Sequence, residues 1–130
     1  MNVVFYGFRV VAPWAGCRCR WMIDAGGLVE IGDRNMFGPD VYITDSNHRF
    51  DPGFAPGEQP MDVGKVKIGN CCWIGAKAVI LKDVELGDGC VVGAGAVVTK
   101  SVLPGAVVVG VPAKTSVLSD SPLRLIGEAR

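Results

Sequence analysis

The sequence predicts an all-β chain coiled into a triangular prism, and three observations predict it. Stepping by six from Ile68 meets Ile74, Ile80, Leu86, Val92 and Val98, aliphatic at every step. Glycine follows at Gly69 and Gly75 and gives way to Leu81, then returns at Gly87 and Gly93 and gives way to Thr99, so the unit is three hexads, or eighteen residues. The same signature stands upstream as Ile31-Gly32, Phe37-Gly38 and Ile43-Thr44, which makes about three full coils. A period of six matches neither the 3.6 nor the 3.5 of a helix, and the many β-branched residues and glycines disfavour one. No helical segment separates the strands, so a βαβ arrangement fails as well. Short strands joined by tight corners wind each turn onto the last at the strand spacing of about 4.8 Å. Glycine is expected to supply the unusual dihedrals of those corners.

Taken in order, residues 1–30 read as an irregular cap. Phe5, Tyr6, Phe8, Trp14 and Trp21 crowd together with only a weak hexad hint at Ile23, as suits an aromatic plug over the open end of a prism. Residues 31–114 carry the hexads. Four residues after each aliphatic position comes a second inward side chain, small or modest: Asn35, Val41, Asn47, Cys72, Ala78, Val84, Cys90, Ala96 and Val102. Residues 49–67 interrupt the coil with Asp51-Pro52-Gly53, Ala55-Pro56-Gly57 and Pro60. An excursion of that length in a small domain points to a binding loop. Residues 115–130 form a C-terminal extension in which Ser121-Pro122, a cap followed by a first-turn proline, opens a short helix through Leu123-Arg124-Leu125-Ile126.

Composition narrows the function. Thirteen basic residues balance thirteen acidic ones, with no basic run longer than Arg18-Cys19-Arg20, which argues against a nucleic-acid partner. With 49% hydrophobic residues the chain has ample surface to bury, which excludes disorder and suggests a partner chain. Its longest apolar stretches, such as Val91 to Val98, fall far short of a membrane span. The apolar N-terminus has no basic segment before it and is broken by Arg9, so a cytoplasmic chain is expected. Cys17, Cys19, Cys71, Cys72 and Cys90 form an odd set that reads as reduced thiols. Cys72 and Cys90, eighteen residues apart, should stack in the interior. One histidine and no spaced cysteine pairs beyond Cys17-Arg18-Cys19 argue against a metal site.

The sole histidine, His48, stands at the last position before the excursion, on a rigid coil at the mouth of a long loop. A neutral imidazole there could take the proton of an alcohol as it attacks an acyl carbonyl. Its second nitrogen would need holding, by Asp45 or by a nearby backbone carbonyl.

The runs Ile68-Gly69-Asn70-Cys71-Cys72-Trp73-Ile74-Gly75-Ala76, Ile80-Leu81-Lys82-Asp83-Val84-Glu85-Leu86-Gly87-Asp88 and Val92-Gly93-Ala94-Gly95-Ala96-Val97-Val98-Thr99-Lys100, closing with Gly110-Val111-Pro112-Ala113-Lys114, resemble the hexapeptide-repeat acyltransferases. More narrowly they resemble the maltose and galactoside O-acetyltransferase branch and its relatives in polysaccharide O-acetylation. The likeness runs from about Ile31 to Lys114. It implies a left-handed parallel β-helix, a homotrimer, and acetyl-CoA bound between subunits as co-substrate without a metal. It implies His48 as the general base. It marks Trp73, Ala76, Ala94, Thr99, Lys100 and Lys114 for the coenzyme; where some relatives carry arginine, Lys114 offers a point charge instead. The tetrahedral oxyanion would take a backbone N–H near Gly75 or Ala76, and Asp24 and Asn35 are expected acceptor contacts. The function implied is acetyl transfer to a hydroxyl of a small acceptor, a sugar in the first instance. The alternatives are an antibiotic or amino-sugar acceptor on the same fold, and a trimeric scaffold without turnover, since relatives usually carry more N-terminal structure.

Overall fold

Ile31, Ile68 and Leu86 stand in parallel register on neighbouring strands, and a further bridge joins Leu86 to Val102. Phe37, Ile74, Val92 and Val108 form a second such row, and Ile23, Ile43, Ile80 and Val98 a third. These rows are the three inner walls of the molecule. All of their members are buried apart from Phe37, which is half-buried. The six-residue aliphatic step is therefore the register of a three-faced coil. Burying each such side chain contributes roughly 1.5 to 3 kcal/mol.

The structure is a computed structural model and describes the backbone of residues 3–13 and 20–118. In chain order, β1 (Val3–Pro13) and β2 (Arg20–Ile31) precede β3 (Met36–Phe37), β4 (Tyr42–Thr44) and β5 (Ser46–His48). After a 3₁₀ turn at Pro56–Glu58 come β6 (Met61–Val63), β7 (Lys65–Ile68), β8 (Trp73–Ile74) and β9 (Val79–Ile80). The coil continues through β10 (Glu85–Leu86), β11 (Val91–Val92), β12 (Val97–Val98) and β13 (Ala106–Val109), and β14 (Lys114–Leu118) follows it. Face one stacks β2, β7 and β10; face two stacks β3, β8, β11 and β13; face three stacks β2, β4, β9 and β12.

The N-terminal segment is more regular than expected. Instead of an irregular cap over 1–30, β1 runs antiparallel along β2 from Val3 opposite Ile31 to Pro13 opposite Arg20, with a register shift between Tyr6 and Phe8. Residues 3–13 are rich in β-branched and aromatic side chains, and β2 is an edge strand whose free backbone groups need a partner. Trp21, in β2, stacks on Phe37 with ring centroids 5.3 Å apart. Trp14, Cys17 and Cys19 lie outside the described residues, as does the expected helix over 121–126. At the start of the C-terminal extension, β14 instead folds back antiparallel on β13.

The corners correct a second expectation. The glycine after each aliphatic residue does not supply the unusual dihedral. Positive φ falls two positions later, at Arg34, Asp40, Cys71, Lys77, Asp83, Gly89 and Gly95. The recurring glycines are needed for close approach between coils. A Cβ on Gly38 would stand 2.5 Å from the amide nitrogen of Ala76, and one on Gly75 2.6 Å from that of Ala94.

The second inward row holds at Val41, Cys72, Ala78, Val84, Cys90, Ala96 and Val102, which are buried. Asn35 is half-buried, and Asn47 departs from the row, exposed in β5 opposite Asp62. By Asn47 the chain has already left the coil. Ile31 and Ile68 are neighbours though thirty-seven residues apart, against eighteen between Ile68 and Leu86, so nineteen residues are inserted without loss of register. The insertion departs through β5 and returns through its antiparallel partner β6. The coil resumes at Lys65, earlier than the sequence suggests, because Val66 points inward while Lys65 and Lys67 point out.

Candidate active site

The insertion opens at the corner where β4 ends. Thr44 and Ser46 make that corner tight: the Ser46 N–H donates to Thr44 Oγ1 at 3.3 Å, and the Thr44 hydroxyl donates to the Ser46 carbonyl at 3.1 Å. Between them Asp45 is fully buried. Its two carboxylate oxygens accept separate backbone amides of β2, from Gly26 to Oδ1 and Gly27 to Oδ2, both at 2.8 Å. Its carbonyl accepts the Gly64 N–H at 2.8 Å, closing the neck of the insertion. The carboxylate thus serves β2, and among the described residues no hydrogen bond links Asp45 to His48. The sequence expectation of Asp45 as partner of the imidazole gives way to a clamp on the corner that carries it. The signal for this was Gly26-Gly27, a double glycine inside an otherwise strand-like run.

His48 is exposed at the end of β5, opposite Met61 of β6. The loop beyond is tied by Gln59, whose Oε1 accepts the Asp51 N–H at 3.0 Å and whose amide donates to the Phe54 carbonyl at 3.2 Å. Arg49 and Asp51 pair at 3.0 Å. Phe50 and Phe54 stand on the outside, 84% and 69% exposed.

Below the insertion lies a corner with its own charge cluster, which sequence reasoning missed. Lys82 Nζ lies 3.0 Å from Asp62 Oδ2 on β6 and 3.0 Å from Asp83 Oδ2. The carboxylates of Asp83 and Asp62 raise the Lys82 ammonium above its usual range. In turn Lys82, with the Lys65 N–H, holds the Asp83 carboxyl below its own. No spacing in the sequence pairs Lys82 with Asp62, because Asp62 lies within the insertion and outside the hexad pattern.

The other expected site residues fall on several parts of the prism. Thr99 and Lys100 follow β12, and β4, β9 and β12 are stacked, so these two share the corner from which the insertion departs. Ala76 and Ala94 lie on the next corner, where the Gly95 N–H donates to the Ala76 carbonyl at 2.8 Å. Trp73 faces outward from the middle of face two, between Met36 and Val91. Lys114 begins β14, opposite Val109. One chain therefore does not gather these groups around His48. A groove of about 390 Å³ lined by Glu30, Lys65, Lys67, Glu85 and Ser101 lies on face one, and includes none of them.

Of the two expected acceptor contacts, Asp24 accepts from the Tyr42 hydroxyl at 3.4 Å. Asn35 is committed elsewhere. Its amide donates to the Gly32 and Gly69 carbonyls at 3.1 and 2.8 Å, and its oxygen accepts the Cys72 N–H at 2.7 Å. Those bonds tie one coil to the next and leave the side chain a corner fastener. Of the two amides considered for the oxyanion, the Gly75 N–H donates to the Val92 carbonyl, and among the described residues the Ala76 N–H has no backbone acceptor.

Cys72 and Cys90 stack as expected, both thiols donating to the Gly87 carbonyl, at 3.3 and 2.8 Å. The neighbouring Cys72 and burial push the Cys90 thiol up, which keeps it protonated. Cys71, Cys72 and Cys90 are free thiols. Among the described residues no three His, Cys, Asp or Glu side chains cluster as metal ligands, and no helix is long and apolar enough to cross a membrane.

Residues 65–100 match the family model of the bacterial transferase hexapeptide (six repeats). Nodulation protein L of Rhizobium meliloti (strain 1021) is 46% identical over 111 residues, covering 84% of this chain and 60% of that protein. Among solved structures, a maltose O-acetyltransferase from Clostridium difficile 630 superposes with a TM-score of 0.66 at 35% identity, over 72% of this chain and 49% of its own. A galactoside acetyltransferase in complex with coenzyme A gives a TM-score of 0.70 at 33% identity, over 74% of this chain and 48% of its own. The chain thus spans about half the length of these solved relatives and three fifths of the nodulation protein.

Proposed function

Because this chain is a hexapeptide-repeat protein, we propose that it is an acetyl-CoA-dependent O-acetyltransferase, folded as a left-handed β-helix of about three coils and working as a homotrimer. The observation that carries the reading is the nineteen-residue insertion with His48 at the end of its first strand, on a coil similar to that of a galactoside acetyltransferase in complex with coenzyme A. Such an enzyme uses acetyl-CoA in the cytoplasm and acts on a small hydroxyl compound, a sugar in the first instance.

The outer rows support assembly. Face one presents Glu30, Lys67 and Glu85 in register, a charged ladder suited to water. Face two presents Met36, Trp73, Val91 and Val107, and face three Met22, Tyr42, Val79 and Val97. These two faces meet along the edge of Gly38, Ala76 and Ala94, so a neighbouring copy seated against that edge covers apolar surface on both sides. A site between copies also accounts for Trp73, Ala76, Ala94 and Lys114 lying away from the corner that Thr99 and Lys100 share with the insertion.

In the reaction, His48 accepts the acceptor's hydroxyl proton as its oxygen attacks the thioester carbonyl carbon. The oxyanion that forms is held by the Ala76 N–H of the site. The carbon–sulfur bond then breaks, the coenzyme thiolate leaves and regains the proton, and the acetyl ester remains on the acceptor. Lys100 and Lys114 supply cations for the coenzyme phosphates. Tyr42 and Asp24, a hydroxyl–carboxylate pair on face three, are available to hydroxyls of the acceptor.

Calorimetric titration with acetyl-CoA, alongside molar mass in solution, tests the reading. One coenzyme per chain in a trimer is expected, followed by thiol release with a panel of sugars, amino sugars and antibiotics. His48→Ala should lower turnover by about 10²- to 10⁴-fold with coenzyme affinity unchanged, while Lys100→Ala and Lys114→Ala should weaken coenzyme binding. A folded trimer that binds no acetyl-CoA is a scaffold and overturns the proposal.

A further inference from the structure

We infer that Lys82 is a positioning residue, reaching up from the coil to grip Asp62 and so hold the β5–β6 hairpin, with His48 on it, over the corner it shares with Thr99 and Lys100. As a statement about catalysis this rests on the acetyl-transfer reading above.

The hairpin is a weak element by itself. It consists of three residue pairs, Ser46 with Val63, Asn47 with Asp62 and His48 with Met61, and it forms a separate two-stranded sheet outside the stacked coils. An isolated hairpin of that size is marginal in water. Of its six residues only Ser46 is buried. The Asp45 clamp fixes the neck, through the Gly64 N–H and the two β2 amides, but the neck lies at the Ser46 end of the ladder. His48 lies at the other end. Between them, the one contact from a charged coil side chain among the described ion pairs is Lys82 to Asp62, on the middle pair of the hairpin.

The donor is well prepared for that contact. The Lys82 side chain is 16% exposed, whereas Asp62 is 57% exposed, so the fixed partner belongs to the coil and the held partner to the insertion. Asp83 pins the ammonium from the other side at 3.0 Å, and its Oδ1 accepts the Lys65 N–H at 3.3 Å where β7 re-enters the coil. A Cβ on Gly64 would collide with that carboxylate, which places the return of the insertion directly against the pair. The ammonium therefore stands between two carboxylates, one anchored in the coil and one riding on the hairpin. With the base on a mobile hairpin, an error of about 1 Å in its position costs roughly 10²-fold in rate.

The test compares Lys82→Met, Asp62→Asn, their double variant and Lys82→Arg by amide hydrogen exchange and by steady-state kinetics of the assembled protein. Lys82→Met and Asp62→Asn should each speed exchange across 46–48 and 61–63 about tenfold, with the coil amides of β8 to β12 unchanged. Each should lower kcat tenfold or more with the acetyl-CoA KM unchanged, the double variant should be no worse than either single, and Lys82→Arg should restore most of both readouts. Hairpin amides indifferent to the substitutions, faster exchange throughout the coil, or losses that add independently overturn the clamp. Exchange needs no turnover, so wild-type protein that releases no thiol with any acceptor refutes acetyl transfer, whereas an unresponsive hairpin refutes the clamp.

Discussion

Replacing Asp45 separates two roles that one carboxylate near the proposed base His48 can play. In the structure it accepts the Gly26 and Gly27 amides at 2.8 Å each and is itself fully buried. A hydrogen bond to a charged group contributes about 1.5 to 3 kcal/mol, and the low end applies because Gly26 is open to water and its amide can be rehydrated. Asp45→Ala should therefore destabilise the protein by about 3 kcal/mol. Asp45→Asn should recover little of that, since it leaves one acceptor for two donors and turns an NH₂ toward the second amide. For a chain of this size a loss of about 3 kcal/mol lowers Tm by roughly 10 to 15 °C. The assay is calorimetric melting at one fixed protein concentration, because assembly contributes to apparent stability, with kcat measured well below the melt. Both variants should melt far earlier. If Asp45→Asn melted within about 2 °C of wild type while kcat collapsed, the carboxylate would be orienting His48 after all, and the clamp reading of Asp45 would be wrong.

Two other outcomes follow from the corners. Gly75→Ala drives a Cβ to 2.6 Å from the Ala94 nitrogen and should cost up to about 3 kcal/mol; Gly95→Ala, at φ +70° with nothing within 4 Å, should cost about 1 kcal/mol from backbone strain alone. Urea midpoints rank them, and equal losses would contradict the close-approach account. Asp83 supplies a pH dependence, because Lys82 and the Lys65 N–H hold its carboxyl below the usual value of about 3.9. A lowered folded value means stability that is present above the ordinary aspartate range and is lost as pH falls through the lowered one. The gap in urea midpoint between wild type and Asp83→Asn should thus be constant above pH 5 and close below about pH 3.9; a gap that widens toward acid would reverse the sign.

What could be read in the sequence is what repeats. The aliphatic step from Ile68 to Val98 became the stacked inner rows, and the proline- and glycine-rich stretch became the insertion. What could not be read has no repeating chemical mark. The left-handed position of the corners is held by Arg34, Asp40, Cys71, Lys77 and Asp83 and then by Gly89 and Gly95, five kinds of residue over seven corners, so composition does not point to it, and the regularly recurring glycine stands two positions earlier. Asn35 was expected as an acceptor contact; in the structure its side chain bonds carbonyls and an amide of the adjoining corners. Asn47 looked inward because the pattern was extended one step past the point where the chain leaves the coil. Strand β1 carries no hexad at all, since an antiparallel cover strand has no need of one.

The same separation explains where the chemistry sits. Each coil strand is held on both sides by neighbours in register, so the strands flanking a corner stay in place however much chain is inserted there. Closing a longer loop adds little, about 0.6 kcal/mol for each doubling of its length. The register bears this out: Ile31, Phe37 and Ile43 are each thirty-seven residues from their partners Ile68, Ile74 and Ile80, so the whole lower coil accepts the insertion without adjustment. A rigid coil can thus carry a base on added chain, provided that a few coil side chains hold it. Here Asp45 holds the neck and Lys82 the far strand. The repeat marks the inward positions that build the support, whereas Lys82 is an outward corner side chain, which is why the periodic pattern that reveals the fold passes over it.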